Sequence, residues 1–203
     1  MVMTKTITAE NLHTISSYLE AEDRAEVRHE FNNGKIKEMA GGKVKHNAVK
    51  LSIASDLFVA LKSSSIPNVE LNSDTKVRIE KVNRFVYPDI TVSDGKPQYY
   101  ETPEGKTRED IITNPRLIIE VLSDGTREHD KGEKFEQYAS ISTFREYILV
   151  EPEQCWIKSY YLQEPESDLW KITSLVDMDA MLPLRSLGIE LSVREIYAVW
   201  DKL

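Results

Sequence analysis

The stretch "PRLIIEVLS", residues 115 to 123, constrains the fold more than any other part of the chain. Leu117, Ile118, Ile119, Val121 and Leu122 show no alternation of polar and apolar positions, so a strand built from them must be covered on both faces. That is the pattern of a central strand in an α/β sheet. Glu120 interrupts it. A carboxylate at such a place costs several kcal/mol unless a cation or hydrogen-bond donors hold it. The partner of Glu120 is therefore the first question.

A chain of 203 residues, 40% hydrophobic and 30% charged, suits one packed domain, taken here as a single unit over 1–203. It has no apolar run of bilayer length and no start resembling a signal peptide, so no membrane contact is expected. Cys155 is the lone cysteine and can form no internal disulfide; it is expected to pack as a small hydrophobe, in a cytoplasmic setting. The balance of 34 acidic against 26 basic residues, a net charge of −8, argues against a protein that coats nucleic acid with a basic surface. Any contact with a phosphate backbone must then be local, or run through a metal ion at an acidic site.

The rest of the chain alternates strands and helices. "TAENLHTISSYLEAEDR" predicts an N-terminal helix with Thr8 as its N-cap. "EVRHEFNNGKIKEM" predicts a hairpin turning on Asn33-Gly34, with Phe31 opposite Ile36 and His29 opposite Glu38. Glu38 then shares a face with Phe31 and Ile36, and points inward if that face is the core side. In "KVKHNAVKLSIASDLFVALKS", Val49, Ile53, Leu57 and Leu61 recur every four residues, with Ala54, Phe58 and Ala60 near the stripe; His46 falls on the middle of it. "VELNSDTKVRIE", "RFVYPDITVS" and "RLIIEVLS" read as strands and "DKGEKFEQYASI" as a helix. "EYILVEPEQCWIKSYYLQ" and "LWKITSLV" read as further strands. "SVREIYAVWDKL" opens with a capping box from Ser192 to Glu195. The architecture expected is a mixed β-sheet core flanked by helices, with an N-terminal helix and hairpin.

On "RFVYPDITVS", Phe85, Tyr87, Asp89 and Thr91 share one face, and Pro88 implies an edge or a bulge beside them. Asp89 is thus a second acid on a largely apolar strand. Two inward carboxylates on neighbouring strands repel unless a cation lies between them, and their hard oxygens suit Mg²⁺ or Mn²⁺. Lys134 borders the apolar face formed by Phe135, Tyr138 and Ala139, with Asp130 one turn earlier. Glu120 is therefore expected to meet a divalent ion and Lys134, with Asp89 sharing the ion. Other partners for Glu120 stay open: Arg116, Arg127 or backbone amides. Asp130 and Lys134 can equally form a surface pair, His46 can be a core histidine, and Glu38 a solvated hairpin residue.

"VYPDITV", "RLIIEVLSDGTREHDKGEKFEQYAS" and "FREYILVEP", with "HEFNNGKIKEMAGGKVKHNAV" upstream, resemble the Uma-two family of restriction-endonuclease-like proteins over most of residues 8 to 200. The resemblance implies the PD-(D/E)XK nuclease fold and Mg²⁺- or Mn²⁺-dependent hydrolysis of DNA phosphodiesters. It places Asp89 and Glu120 as the two acids, the Val121 carbonyl as a further metal ligand, and Glu38 and His46 as accessory residues. The superfamily's lysine slot, two residues after the glutamate, holds Leu122, and the family pattern points to Lys134 from the following helix instead. Leu122 also leaves open an inactive nuclease fold serving as a binding or regulatory module. Lys43, Lys45, Arg127 and Lys131 are candidate backbone contacts for DNA. The aromatic segment from Trp156 to Trp170 is a candidate surface for a homodimer.

Overall fold

The computed structural model describes residues 12–39, 41–63, 71–72, 74–123, 132–164, 166 and 168–202. Its first half holds α1 (Ile15–Glu22), β1 (His29–Asn32), β2 (Lys35–Glu38), α2 (Val44–Ser63), β3 (Leu71–Asn72), β4 (Lys76–Ile79), β5 (Arg84–Val86) and β6 (Ile90–Ser93). The hairpin β7 (Tyr99–Glu101) and β8 (Thr107–Ile112) leads into β9 (Pro115–Val121), α3 (Glu133–Ala139) and β10 (Glu146–Val150). Then come β11 (Ile157–Glu164), β12 (Leu169–Leu175), β13 (Met181–Leu184), β14 (Ile189–Ser192) and α4 (Val193–Tyr197), followed by a 3₁₀ turn at Ala198–Lys202.

The expected mixed α/β core is divided over two six-stranded sheets. One runs β2-β1-β5-β4-β8-β7 and the other β12-β11-β10-β9-β6-β3; β13 and β14 form a separate hairpin. Each large sheet contains one parallel pair, β4 with β8 and β9 with β10. Residues 84–93 are therefore two strands rather than one. β5 pairs with β1 and β4 in the first sheet, β6 with β9 and β3 in the second. Tyr87, Pro88 and Asp89 cross between them, and Pro88, with no N–H to give a ladder, sits where pairing lapses. This replaces the single-strand face expected for Phe85, Tyr87, Asp89 and Thr91.

The central strand β9 is covered on both faces, as its sequence requires. Leu117, Ile119 and Val121 join a core with Val49, Ile53 and Leu57 of α2 and Val193 and Ile196 of α4. Ile118 and Leu122 join a second core with Tyr138 of α3, Phe144, Tyr147, and Val77, Ile79 and Val86 of the first sheet. Phe135, Trp156 and Trp170 pack against this second core, each of them partly buried. Phe135 stacks on Tyr160 at 4.6 Å between ring centres.

Local detail departs from the sequence reading at three places. Helix α1 begins at Ile15, where the Thr14 side chain accepts from the Ser17 amide at 3.1 Å; Thr8 lies outside the described residues. Phe58 is exposed, on the far side of α2 from the buried stripe. The hairpins β7–β8 and β13–β14 have no counterpart in the sequence reading. The Asn33-Gly34 turn is as expected, with φ of 46° and 92° at its two residues and the anticipated register. Cys155 packs against the first core, and burial raises its thiol pKa, as suits a structural cysteine.

Because Ile119 is fully buried between α2 and the second sheet, Ile119→Ala should lower the free energy of unfolding by about 2–5 kcal/mol. Urea denaturation followed by tryptophan fluorescence measures this directly.

Candidate active site

The two acids meet where β6 begins and β9 ends. Ile90 faces Ile119 in the antiparallel register, so Asp89 falls opposite Glu120 one step further along. The Val121 N–H donates to Asp89 Oδ2 at 2.9 Å, and the Asp89 N–H donates to Glu120 Oε2 at 3.4 Å. The Asp89 carboxylate thus takes up an amide that a longer β6 would have paired. Each acid uses the other's strand.

Glu120 lies on the α3 side of the sheet, 4% exposed. Lys134 Nζ stands 2.7 Å from its Oε1, and Tyr138 OH donates to the same oxygen at 3.1 Å. Lys134 and Tyr138 are one helical turn apart and present one face of α3. Sequence reasoning identified Lys134 but placed Tyr138 only in the core. The spacing of four from Lys134 was the available signal, since a buried Tyr hydroxyl usually finds a partner. Arg116, an alternative partner for Glu120, goes instead to Asp94 Oδ1 at 2.5 Å and the Ser186 carbonyl at 2.8 Å.

Asp89 lies toward α2. His46 Nε2 is 3.3 Å from its Oδ2 and Lys50 Nζ 3.5 Å from its Oδ1. His46 and Lys50 are again one turn apart. Lys50 was missed because a lysine at the edge of an amphipathic stripe reads as a solvated border residue. His46 Nδ1 meets Asn47 Oδ1 at 3.2 Å, and Asn47 donates to the Gly42 carbonyl at 3.0 Å. A Cβ at Gly42 would lie 2.5 Å from Asn47 Oδ1 and 2.7 Å from His46 Nδ1, so a larger residue there would push both side chains aside.

Burial opposes ionisation of both His46 and Asp89, but their hydrogen bond and opposite charges outweigh it. His46 is held above its ordinary 6.5, and Asp89 is held below 3.8 by His46, the Val121 amide and Lys50.

The remaining site candidates divide. Glu38 is exposed on β2 and does not point inward, because that end of the two-residue hairpin extends past the core. Asp130, Arg127 and Lys131 lie outside the described residues. Lys43 is exposed, and Lys45 is engaged by Glu153 at 2.8 Å. Leu122 is fully buried in the second core beside Tyr138 and Tyr147, so an ammonium at that position would lie among aromatic rings. Burial of an acid alone does not mark the site. Glu146 is fully buried on the adjacent β10, yet it accepts from the Ser186 and Arg185 amides at 2.8 and 3.1 Å and serves the turn between β13 and β14.

Helix α3 has only seven residues and no side-chain N-cap, so its placement depends on tertiary contacts. Arg84 of β5, 4% exposed, donates to Gln137 Oε1 at 2.5 Å and to Glu30 Oε2 of β1 at 3.2 Å. It ties the first sheet to the helix that carries Lys134.

Mg²⁺ or Mn²⁺ fits this donor set. Two carboxylates from facing positions on adjacent strands are hard oxygen ligands, and Mg²⁺ commonly takes one or two carboxylates and keeps water for the rest. Among the described residues no three His, Cys, Asp or Glu side chains group closely enough to hold an ion by themselves, so a bound ion would retain water.

Two mixed sheets with helices on their faces, and an acid pair at the junction of neighbouring strands, define a restriction-endonuclease-like fold. The chain belongs to the Uma2 family, described as "Putative restriction endonuclease", whose model matches residues 15–194. It superposes with a TM-score of 0.69 on a crystal structure from Anabaena variabilis described as "a putative nuclease belonging to DUF820", at 18% identity over 92% of this chain and 98% of that one. Two Synechocystis sp. relatives are "Uncharacterized protein slr1290", 31% identical over 89% of this chain and 88% of its own, and "Uncharacterized protein sll1609", 28% identical over 82% and 89%. No helix among the described residues is long and apolar enough to cross a membrane.

The paired shifts set the pH dependence of stability. The His46 contribution is complete below pH 6.5 and is lost as pH rises through its higher folded value, while that of Asp89 is present above 3.8 and lost as pH falls below it. His46→Gln should therefore flatten the fall in stability expected of the wild type as pH rises above 6.5. Urea titrations at pH 5.5, 7 and 8.5 measure it.

Proposed function

We propose that the protein is a metal-dependent endonuclease that hydrolyses DNA phosphodiesters in the cytoplasm. The observation that carries this reading is the mutual engagement of Asp89 and Glu120 across β6 and β9, with a buried lysine on one of them. Asp89, Glu120 and the Val121 carbonyl would hold Mg²⁺ or Mn²⁺. In an extended residue the carbonyl leaves the strand on the same side as the N–H, here the side of Asp89. When bound, the ion supplies Lewis-acid polarisation of the phosphate and a water of lowered pKa.

The residues of the chain do the rest. Lys134, fixed by Glu120 and positioned with α3 by Arg84, orients the attacking water and adds positive charge in a water-poor place. Tyr138 holds the second lone pair of Glu120 Oε1 and so restrains the carboxylate rotamer. His46 restrains Asp89 in the same way from α2. In balance, a P–O bond forms to the water oxygen, the bond to the leaving sugar oxygen breaks, and the water's proton ends on that oxygen. The negative surface is compatible with this chemistry if the DNA contact is confined to the site. The second reading, a nuclease fold used as a non-catalytic binding module, is favoured by Leu122 in the usual lysine slot.

Mg²⁺ or Mn²⁺ titrated into the wild type should give calorimetric binding and nicking of supercoiled plasmid, and Asp89→Ala/Glu120→Ala should lose both. Equal signals from the two proteins overturn the site; binding without nicking favours the module. Lys134→Met takes the ammonium from a buried carboxylate and leaves it only neutral donors such as Tyr138 among the contacts described, so it should cost about 3–5 kcal/mol of stability without metal and abolish nicking. Added Mn²⁺ should restore part of that stability, read as a rise in melting temperature larger than that of the wild type.

A further inference from the structure

The two lysines of the site differ in a way that divides their work. Lys134 and Glu120 form a close pair at 2.7 Å with side chains 7% and 6% exposed. Lys50 is 3.5 Å from Asp89 Oδ1 with its side chain 30% exposed. Separating a buried pair leaves a charge without compensation, a cost of about 3–5 kcal/mol. A long contact at a partly solvated surface costs far less to exchange. An anion arriving from solvent therefore meets Lys50 first and can recruit it without unpairing a buried acid.

Asp89 is also over-supplied. Its carboxylate accepts from the Val121 amide, meets His46 on the same oxygen, and has Lys50 on the other. A dication on that carboxylate would repel the nearby ammonium, and the nearest new anion would be a phosphate held at the same ion. Lys50 sits on α2, a 20-residue helix packed on β9 through Val49 and Ile53, so its backbone is fixed while its long stem can swing.

Resting on the nuclease reading, we propose that Lys50, and not Lys134, is the catalytic cation that contacts the non-bridging oxygen of the scissile phosphate. It stays protonated, donates hydrogen bonds and transfers no proton. Lys134 keeps to Glu120 and the water. The vacant lysine slot at Leu122 is thus replaced by two residues on opposite faces of the sheet.

The experiment reads binding separately from turnover. A fluorescein-labelled 20-base-pair duplex is titrated with wild type, Lys50→Ala, Lys50→Arg and Lys134→Ala in Ca²⁺ and in EDTA, at several salt concentrations, by fluorescence anisotropy. Loss of one phosphate contact should flatten the dependence of log Kd on log salt by about one and weaken binding about tenfold. Lys50→Ala should show both and Lys50→Arg should regain them. Lys134→Ala should keep the wild-type slope. Alanine is a good helix former, so Lys50→Ala is expected to fold, and circular dichroism verifies it both there and in Lys134→Ala, where the lost pairing with Glu120 lowers stability. Plasmid nicking in Mg²⁺ tests the nuclease reading on its own. If the wild type nicks and Lys50→Ala matches it in slope and rate, Lys50 is excluded while the nuclease stands. A slope change in Lys134→Ala alone assigns the phosphate to Lys134. A wild type that neither binds nor nicks overturns both proposals.

Discussion

A carboxylate in the middle of a strand covered on both faces has to be held, and the way Glu120 is held organises this molecule. Lys134 and Tyr138 can reach it only from a helix laid across the second sheet, so α3 must dock there. That helix is too short to be stable alone and is fastened at other points: Phe135 among Tyr160 and Trp170, and Gln137 on Arg84 of the other sheet. The buried acid, the helix and the junction between the sheets thus form one mechanical unit.

On the other face, α2 serves Asp89 in a parallel manner. Each acid receives side chains spaced by four from a helix on its own side, His46 and Lys50 for one, Lys134 and Tyr138 for the other. The ends of β6 and β9 lie between them, and the backbone amides of Asp89 and Val121 link the two arrangements. Two acids with separate cationic partners can sit close together without a metal. The difference in burial between the two lysines makes the α2 side the easier one to rearrange.

Much of this was legible in the chain. The unbroken apolar run predicted a doubly covered strand, and a single acid in it pointed to a buried partner. Asn33-Gly34 fixed the hairpin register because only a few residues tolerate both positive φ values. The division into two sheets was not legible, because Val86 and Ile90 are equally apolar and periodicity continues through a crossover. Pro88 marked the place without saying which of edge, bulge or crossover it was. Lys50 escaped notice since its role depends on where Asp89 ends up, a contact 39 positions away in sequence that no local pattern encodes. The β13–β14 hairpin was hidden by Pro183 and a continuous apolar run.

The passage from β5 to β6 carries a final consequence. Tyr87, Pro88 and Asp89 are at once a tether between layers and the mounting of an acid. The chain also passes between the sheets from β3 to β4, β6 to β7 and β8 to β9, but only the passage from β5 to β6 carries an acid of the pair, so a shift of one layer against the other reaches that acid directly. A turn as remote as Asn33-Gly34, which sets the register of β1 and through it the pairing of β5, thus lies on a short mechanical route to position 89.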